Sequence, residues 1–314
     1  MKKAFAYIIL VLATVLIVAC KKDDQTTDLP SLQGLVITES PKPYVAPGTT
    51  VTLHADLSDI TTSDDSDPGT IGLYWVVNDS QRDTVTRDAR KSNPAFSYTA
   101  SEVGKVTINC YAFASGYNNS YDQVTYSAID PETSLSGLEG NTISIGGNKF
   151  YVTQIEELTW LANNLYGTES GVSYYLSDVT DSFLGKFYTW EEALSACPEG
   201  WTLPTAEQWD TLGEDACALM ANATLLDEQM WTYWPDMAIT NSLKFNAIPA
   251  GYVDLTGGET NVQGFMDFAI FWTASPSEDE AMAQYRYIYS DRNEIQSGEG
   301  SRHSLALSVR CIRK

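Results

Sequence analysis

A β-sandwich followed by an α+β domain is the fold class the sequence predicts, and three observations predict it. From Gly34 to about Asp130, short alternating apolar runs recur between turn residues, the signature of half-buried strands at sandwich spacing. Beyond them, two helix-start signals stand among further strand-like runs. Finally, 18 tyrosines and 8 tryptophans with only 19% charged residues suit a β-rich extracytoplasmic protein, and 314 residues leave room for two domains.

The chain opens with an address. Met1-Lys2-Lys3 is basic and Ala4 to Ala19 nearly all apolar, a run shorter than the roughly 20 residues of a membrane span. The closing Ile17-Val18-Ala19-Cys20 resembles a lipobox, the recognition site of the lipoprotein signal peptidase. The resemblance implies a signal peptide over 1–19 and Cys20 as an acylated first mature residue, a membrane partner gained through lipid. More than one acyl chain is needed for stable anchoring. Residues 20–33 read as anchor and flexible stalk, polar and without apolar periodicity. Lys21-Lys22-Asp23-Asp24 also resembles the charged signals that send lipoproteins to the outer face of the outer membrane in Bacteroidetes-type bacteria; a merely solvated stalk is the other reading.

The net charge is −22, spread along the chain without a basic stripe. Phosphate backbones are repelled by such a surface, which argues against a nucleic-acid partner.

In the first domain "TTVTLHADL" sets Val51, Leu53, Ala55 and Leu57 on one face and Thr52, His54 and Asp56 on the other. "GLYWVVND", "AFSYTA", "GKVTINCYAFA" and "DQVTYSAI" continue the pattern, with Cys110 on an apolar face as a small buried hydrophobe. The order of these strands resembles PKD-type and other bacterial immunoglobulin-like domains, which act as spacers. The PKD turn after the tryptophan strand is missing, so only the broad immunoglobulin-like sandwich, over 34–130, is expected.

Residues 131–141 read as a linker by composition. "NTISIGGNKFYVTQI" then reads as a hairpin turning at "GGN", and "LTWLANNLY" as a strand. Thr189-Trp-Glu-Glu192 and Thr205-Ala-Glu-Gln208 have the capping-box form. In the second helix Trp209, Leu212, Ala216 and Leu219 are expected on one face, with Cys217 buried beside them. "KFNAIPAGYVDL", "FAIFWTAS", "AQYRYIYSD" and "LALSVRCIRK" read as strands.

"TWLANNL", "GKFYTWEEALSACPEGWTLPTAEQWDTL", "NAIPAGY", "FWTAS" and "SVRCIRK", in that order, together resemble the Fibrobacter succinogenes major paralogous domain family, over about 142–314. That family is similar to the formylglycine-generating-enzyme branch of C-type-lectin-like folds, so a C-type-lectin-like α+β domain is expected. The resemblance implies a disulfide between Cys197 and Cys311, which an oxidising compartment would permit. Here "KFNAIPAGY" lacks a glycine usual before the Phe, and "LALSVRC" replaces the more usual Gly-Phe-Ser-Val-Arg-Cys.

Catalytic signals are thin. Formylglycine-generating enzymes bind copper through cysteines late in the domain, where this chain has only Cys311. The two histidines, His54 and His303, lie far apart, and neither stands in a relay motif. Clustered Cys and His of a zinc site are missing. Asp59, Asp64, Asp65 and Asp67 crowd one loop, but without EF-hand spacing a solvated loop is favoured over calcium. No catalytic residue, metal or cofactor is expected.

Aromatics give the one ligand signal. Tyr233 and Trp234, beside a core Trp231, and Tyr285, Tyr287 and Tyr289 on one strand face are the candidate ligand-binding residues. Flat rings with polar edges suit sugars; ordinary packing is the competing explanation. The expectation is a non-enzymatic envelope lipoprotein that binds a ligand, a glycan first and a surface protein of an adhesive assembly second; an oxidase or hydrolase on the formylglycine-generating-enzyme-like scaffold is the third reading.

Overall fold

The computed structural model describes residues 28–92, 94–231, 238–256 and 261–314. The lipobox, Cys20 and most of the stalk lie outside the described residues, as do Tyr233 and Trp234.

The first domain is a two-sheet sandwich. One sheet pairs Val36–Ile37, Thr50–Asp56 and Ala95–Thr99; the other runs in the order Tyr44–Val45, Ser120–Ala128, Gly104–Phe113, Gly72–Val77, Ser80–Val85. The alternation read from the sequence sets the core: Leu53 and Ala55 face Leu73, Trp75, Val77, Ile108 and Cys110, all buried. Trp75 stacks on Phe96 across the two sheets at 5.0 Å, a contact that offset aromatic pairs favour. Strand Ser80–Val85 was not expected: "SQRDTV" is an exposed, charged edge with no apolar alternation, the composition that discourages edge-to-edge pairing. Its hairpin turns at Asn78-Asp79, both left-handed (φ 46° and 66°), as the tightest hairpins require.

Two boundaries need correction. The stalk does not run to residue 33, because Leu32 is buried and Leu32–Gln33 pairs with Thr61–Thr62. Residues 131–141 are not a free linker. Asp130 caps a short helix, Pro131–Ser134; Leu135–Ser136 pairs with Thr224–Leu225; and Asn246 accepts from the Glu139 amide and donates to its carbonyl. The turn-rich composition suggested solvation, but its polar groups find partners in the distal domain. Core contacts continue across the junction: Tyr44 packs on Tyr174 at 5.7 Å, and burial drives its phenol pKa up to about 12.

The distal domain is built of small sheets with a few short helices. Asn141–Ile145 and Asn148–Ile155 form the expected hairpin, turning on Gly146-Gly147 (φ 58° and 85°), with Leu158–Leu161 and Ile312–Arg313 beyond. Phe268–Pro276, Met282–Tyr289 and Gln296–Ser301 make an antiparallel meander. Both capping boxes close fully, at the starts of helices Trp190–Ala196 and Ala206–Asp210.

The second helix is shorter than its apolar pattern implies. It ends at Asp210; Gly213 is left-handed (φ 78°), and Asp215 caps a separate 3-10 turn, Ala216–Ala218, that carries Cys217. Trp209, Leu212, Ala216 and Leu219 still meet in one core cluster, reached by two pieces instead of one helix face. "KFNAIPAGY" is likewise not a strand before Tyr252: Lys244 and Asn246 are left-handed and the Asn246 side chain is buried. "LALSVRCIRK" is strand only at Leu305–Ala306 and Ile312–Arg313.

Cys197, at the end of its helix, is bonded to Cys311. The bridge closes a separation of 114 residues, for which the chain-entropy account gives roughly 4–5 kcal/mol. Cys110 and Cys217 are free and buried, and burial pushes the Cys110 thiol up to about 12.

Candidate functional site

The meander places the predicted tyrosines. Along Met282–Tyr289, side chains at 285, 287 and 289 point to one face while Arg286 and Ile288 point to the other. The register sets Tyr285 opposite Trp272, Tyr287 opposite Ile270 and Tyr289 opposite Phe268. Tyr289 stacks on Phe268 at 4.4 Å and 15°, which turns it into a wall. Tyr285 and Tyr287 remain half-buried, 5.9 Å apart and tilted by 59°.

These rings leave a shallow groove of about 370 Å³, lined by Tyr252, Phe268, Ile270, Tyr285, Tyr287, Leu305 and Leu307. Ile270 and Leu307 form its buried floor; Tyr252, Phe268, Tyr285 and Tyr287 stand at its sides. The Tyr252 hydroxyl donates to Gln263 Oε1 at 2.9 Å. Among the described residues no charged side chain lines the groove. Burial, with Tyr287 adding to it, raises the Tyr285 phenol pKa, so the ring stays neutral and its hydroxyl remains both donor and acceptor.

Strand Gln296–Ser301 makes room for Tyr285. Gly298 is its cross-strand partner, and a Cβ there would lie 2.5 Å from the tyrosine Cζ. Gly300 would bring one 3.3 Å from the Tyr285 Cε1. The two glycines of "SGEGS" therefore let the ring lie flat across the strand, a use of strand glycine that permits close approach.

The structure thus brings Tyr285 and Tyr287 into one groove and puts Tyr289 behind Phe268. Tyr252 and Phe268 are groove residues that sequence reasoning missed. Phe268 carried a signal, since it alternates with Ile270 and Trp272 along "FAIFWTAS". Trp231 is core, its indole N–H donating to the Ala247 carbonyl at 3.2 Å.

The remaining candidates are structural in their surroundings. His54 Nδ1 pairs with Glu39 Oε1 at 2.5 Å, whereas exposed His303 comes no nearer than 3.9 Å to Glu191. In the aspartate-rich loop Asp64 accepts from Ser66, and Asp67 from the Gly69 amide. Among the described residues no group of three or more His, Cys, Asp or Glu side chains is placed to hold a metal ion, and no helix is long and apolar enough to cross a membrane.

Fold and site together define a two-domain, β-rich protein whose disulfide-closed distal domain carries an uncharged aromatic groove. The chain belongs to the Fibrobacter succinogenes major domain family, whose profile matches residues 133–313. That match takes in the 133–141 segment which the structure docks onto the distal domain. No curated protein matches the chain. Among solved structures it is similar to the Clostridium thermocellum CbhA fibronectin(III)-like modules, at 16% identity over 37% of this chain and 53% of that one, with a TM-score of 0.24. The chain therefore spans about half the length of those modules. It is also similar to a CARDB domain from Pyrococcus furiosus, at 14% identity over 32% of this chain and 94% of that one, TM-score 0.23. A third is the Yersinia pseudotuberculosis adhesin InvE, at 12% identity over 89% of this chain and 70% of that one, TM-score 0.23.

Proposed function

We propose that this protein is a non-enzymatic lipoprotein of the cell envelope, anchored in the outer membrane through Cys20, that presents a C-type-lectin-like domain for glycan binding. The immunoglobulin-like sandwich sets that domain off from the membrane. The observation that carries the binding reading is the open groove: Tyr252, Phe268, Tyr285 and Tyr287 leave apolar ring surface accessible instead of filling it. Pyranose rings present C–H faces to such surfaces while their hydroxyls meet the phenol and amide edges.

The test is a polysaccharide and glycan array probed with the full chain and with Tyr287→Ala and Tyr285→Ala. Binding that both substitutions weaken at least tenfold supports the reading; an array without signal, or signal that neither changes, refutes it. Incorporation of labelled palmitate that Cys20→Ala abolishes is the corresponding test of the anchor.

A further inference from the structure

The tyrosine groove is not the largest cavity among the described residues. A cleft of about 740 Å³ opens where the segment from Pro131 to Leu138 folds back against the hairpin turn at Gly147. Leu135, Tyr166 and Phe183 are its buried floor, and Tyr151 stands half-buried at one side. Its volume falls in the range of small-molecule sites.

We propose that this cleft is a second binding site, separate from the groove, and that it takes a short neutral saccharide through hydrogen bonds to its hydroxyls. Four polar side chains at the rim carry the argument: Glu132, Asn148, Lys149 and Ser182. Each is at least partly exposed, and among the described residues none makes a side-chain hydrogen bond or ion pair. Glu132 accepts, Lys149 donates, and Asn148 and Ser182 do both. Vicinal hydroxyls also donate and accept, so they satisfy a mixed set of this kind.

Other ligand classes fit it less well. A phosphate or sulfate offers only acceptors and would meet the Glu132 carboxylate; a cationic ligand would meet the Lys149 ammonium. The two charges cancel, which favours a ligand of no net charge. Tyr151 supplies apolar ring surface, with the Lys149 Nζ lying over that ring 5.4 Å from its centroid, so this exposed ammonium swings aside to donate to the hydroxyls of a sugar that stacks there. The groove has rings and no charge, whereas the cleft has a polar rim over an apolar floor. The groove suits stacking on an extended glycan; the cleft suits the reading of individual hydroxyls.

The cleft exists because the segment after the sandwich docks. Asp130 caps the Pro131–Ser134 helix that carries Glu132, and Ser136 Oγ lies 2.8 Å from Thr224 Oγ1. Gly137 is left-handed (φ 95°), and a Cβ there would lie 2.2 Å from the Asn222 carbonyl oxygen, so the wall is held close on the distal domain.

Isothermal titration of the full chain with cellobiose, maltose, lactose and glycylglycine tests the proposal, alongside Tyr151→Ala, Tyr151→Phe, Glu132→Gln and Tyr287→Ala. The expected result is binding of at least one disaccharide that Tyr151→Ala weakens about tenfold and Glu132→Gln several-fold, while Tyr151→Phe and Tyr287→Ala leave it within twofold. Glu132 is exposed, so loss in Glu132→Gln cannot be attributed to unfolding. Binding lost only in Tyr287→Ala would assign the sugar to the groove and overturn the cleft while leaving the groove reading intact. Binding of glycylglycine but of no disaccharide would show that Glu132 and Lys149 read a zwitterion, and would equally overturn it. No binding of any of these probes overturns the cleft alone, since the groove is tested on the array.

Discussion

The guanidinium of Arg310 lies over the ring of Phe245, 4.7 Å from its centroid, and donates to the carbonyl oxygen of the same residue at 2.7 Å. It is completely buried and, among the described residues, has no carboxylate partner. Its other donors go to the Asn246 carbonyl at 2.8 Å, to Asn164 Oδ1 at 3.0 Å and, more weakly, to the Leu161 carbonyl at 3.4 Å, and burial pulls its pKa down to about 9. Carbonyl dipoles and two ring faces, those of Phe245 and Phe271, take the place of a counter-charge. Arg310 thereby gathers the irregular 244–251 segment, the "ANN" turn and the last strand around one point beside the disulfide.

Arg310→Met is therefore expected to cost about 3 kcal/mol or more, because it strands the carbonyls of Phe245, Asn246 and Leu161 and an amide oxygen. Arg310→Lys keeps the charge but lacks the planar fork that reaches all four acceptors, so it recovers only part of that loss. Urea denaturation midpoints for the three proteins check the order wild type, Lys, Met. Equal midpoints for Lys and wild type would contradict it.

The bond between Cys197 and Cys311 predicts a thiol count. Without reductant, Cys110 and Cys217 should be silent to a thiol reagent in the folded protein, since both are buried, and both should react on unfolding, while 197 and 311 stay silent. Cys197→Ala with Cys311→Ala should lower stability by about 2–5 kcal/mol, through the freed loop of the unfolded chain. The effect should fall on the distal domain, because the bridge ties the end of helix Trp190–Ala196 to the final strand.

Much of this architecture is legible in the sequence, for reasons that are local. Alternation in "TTVTLHADL" and "GKVTINCYAFA" names the sandwich core because one-residue periodicity decides which side chains face inward. The hydroxyl and N3 side chains of both helix starts, and the paired glycines of the hairpin, act within four residues. What was illegible depends on long-range register. Nothing near Phe268 states that Tyr289 lies across from it, and nothing near Tyr252 says it borders Tyr285. Strand Gln296–Ser301 has no apolar pattern at all, because its function is to be small beneath a ring. Residues 131–141 look like a linker because turn residues are equally suited to solvent and to a docked wall whose polar groups are bonded.

Asp181 gives a pH prediction. Its Oδ2 accepts from Ser173 Oγ at 3.0 Å, while Oδ1 is buried with no partner among the described residues. Burial raises its carboxyl pKa from 3.8 to about 6, against the opposing pull of that hydrogen bond and of Lys186. The folded state thus keeps a proton that the unfolded chain releases near pH 4. The resulting stabilisation is full below that pH and is lost as pH rises through 6. Asp181→Asn keeps an acceptor for Ser173 and removes the buried charge. It should raise unfolding free energy at pH 7 by on the order of 1–2 kcal/mol, after allowing for solvent screening, and by nothing measurable at pH 4. Denaturant melts at the two pH values decide; a gain of equal size at both would show that the charge is not its source.

The groove and its supporting strand make the sharpest pairing of structure with binding. Gly298 has ordinary strand backbone, so alanine there meets no conformational penalty; the nearest atoms to its methyl are at the far end of the Tyr285 ring, from 2.5 Å. A ring end can swing away, into the groove, at modest cost. Gly298→Ala is therefore expected to change stability by less than about 1 kcal/mol and yet to weaken glycan binding about as much as Tyr285→Ala. Gly137→Ala, by contrast, would press a methyl 2.2 Å from a backbone carbonyl from a left-handed position and should destabilise without touching the groove. Thermal melts paired with array binding separate the two. If Gly298→Ala binds as wild type does while Tyr285→Ala does not, the ring's flat seat on the glycine strand is irrelevant to recognition, and Tyr285 acts through its hydroxyl alone.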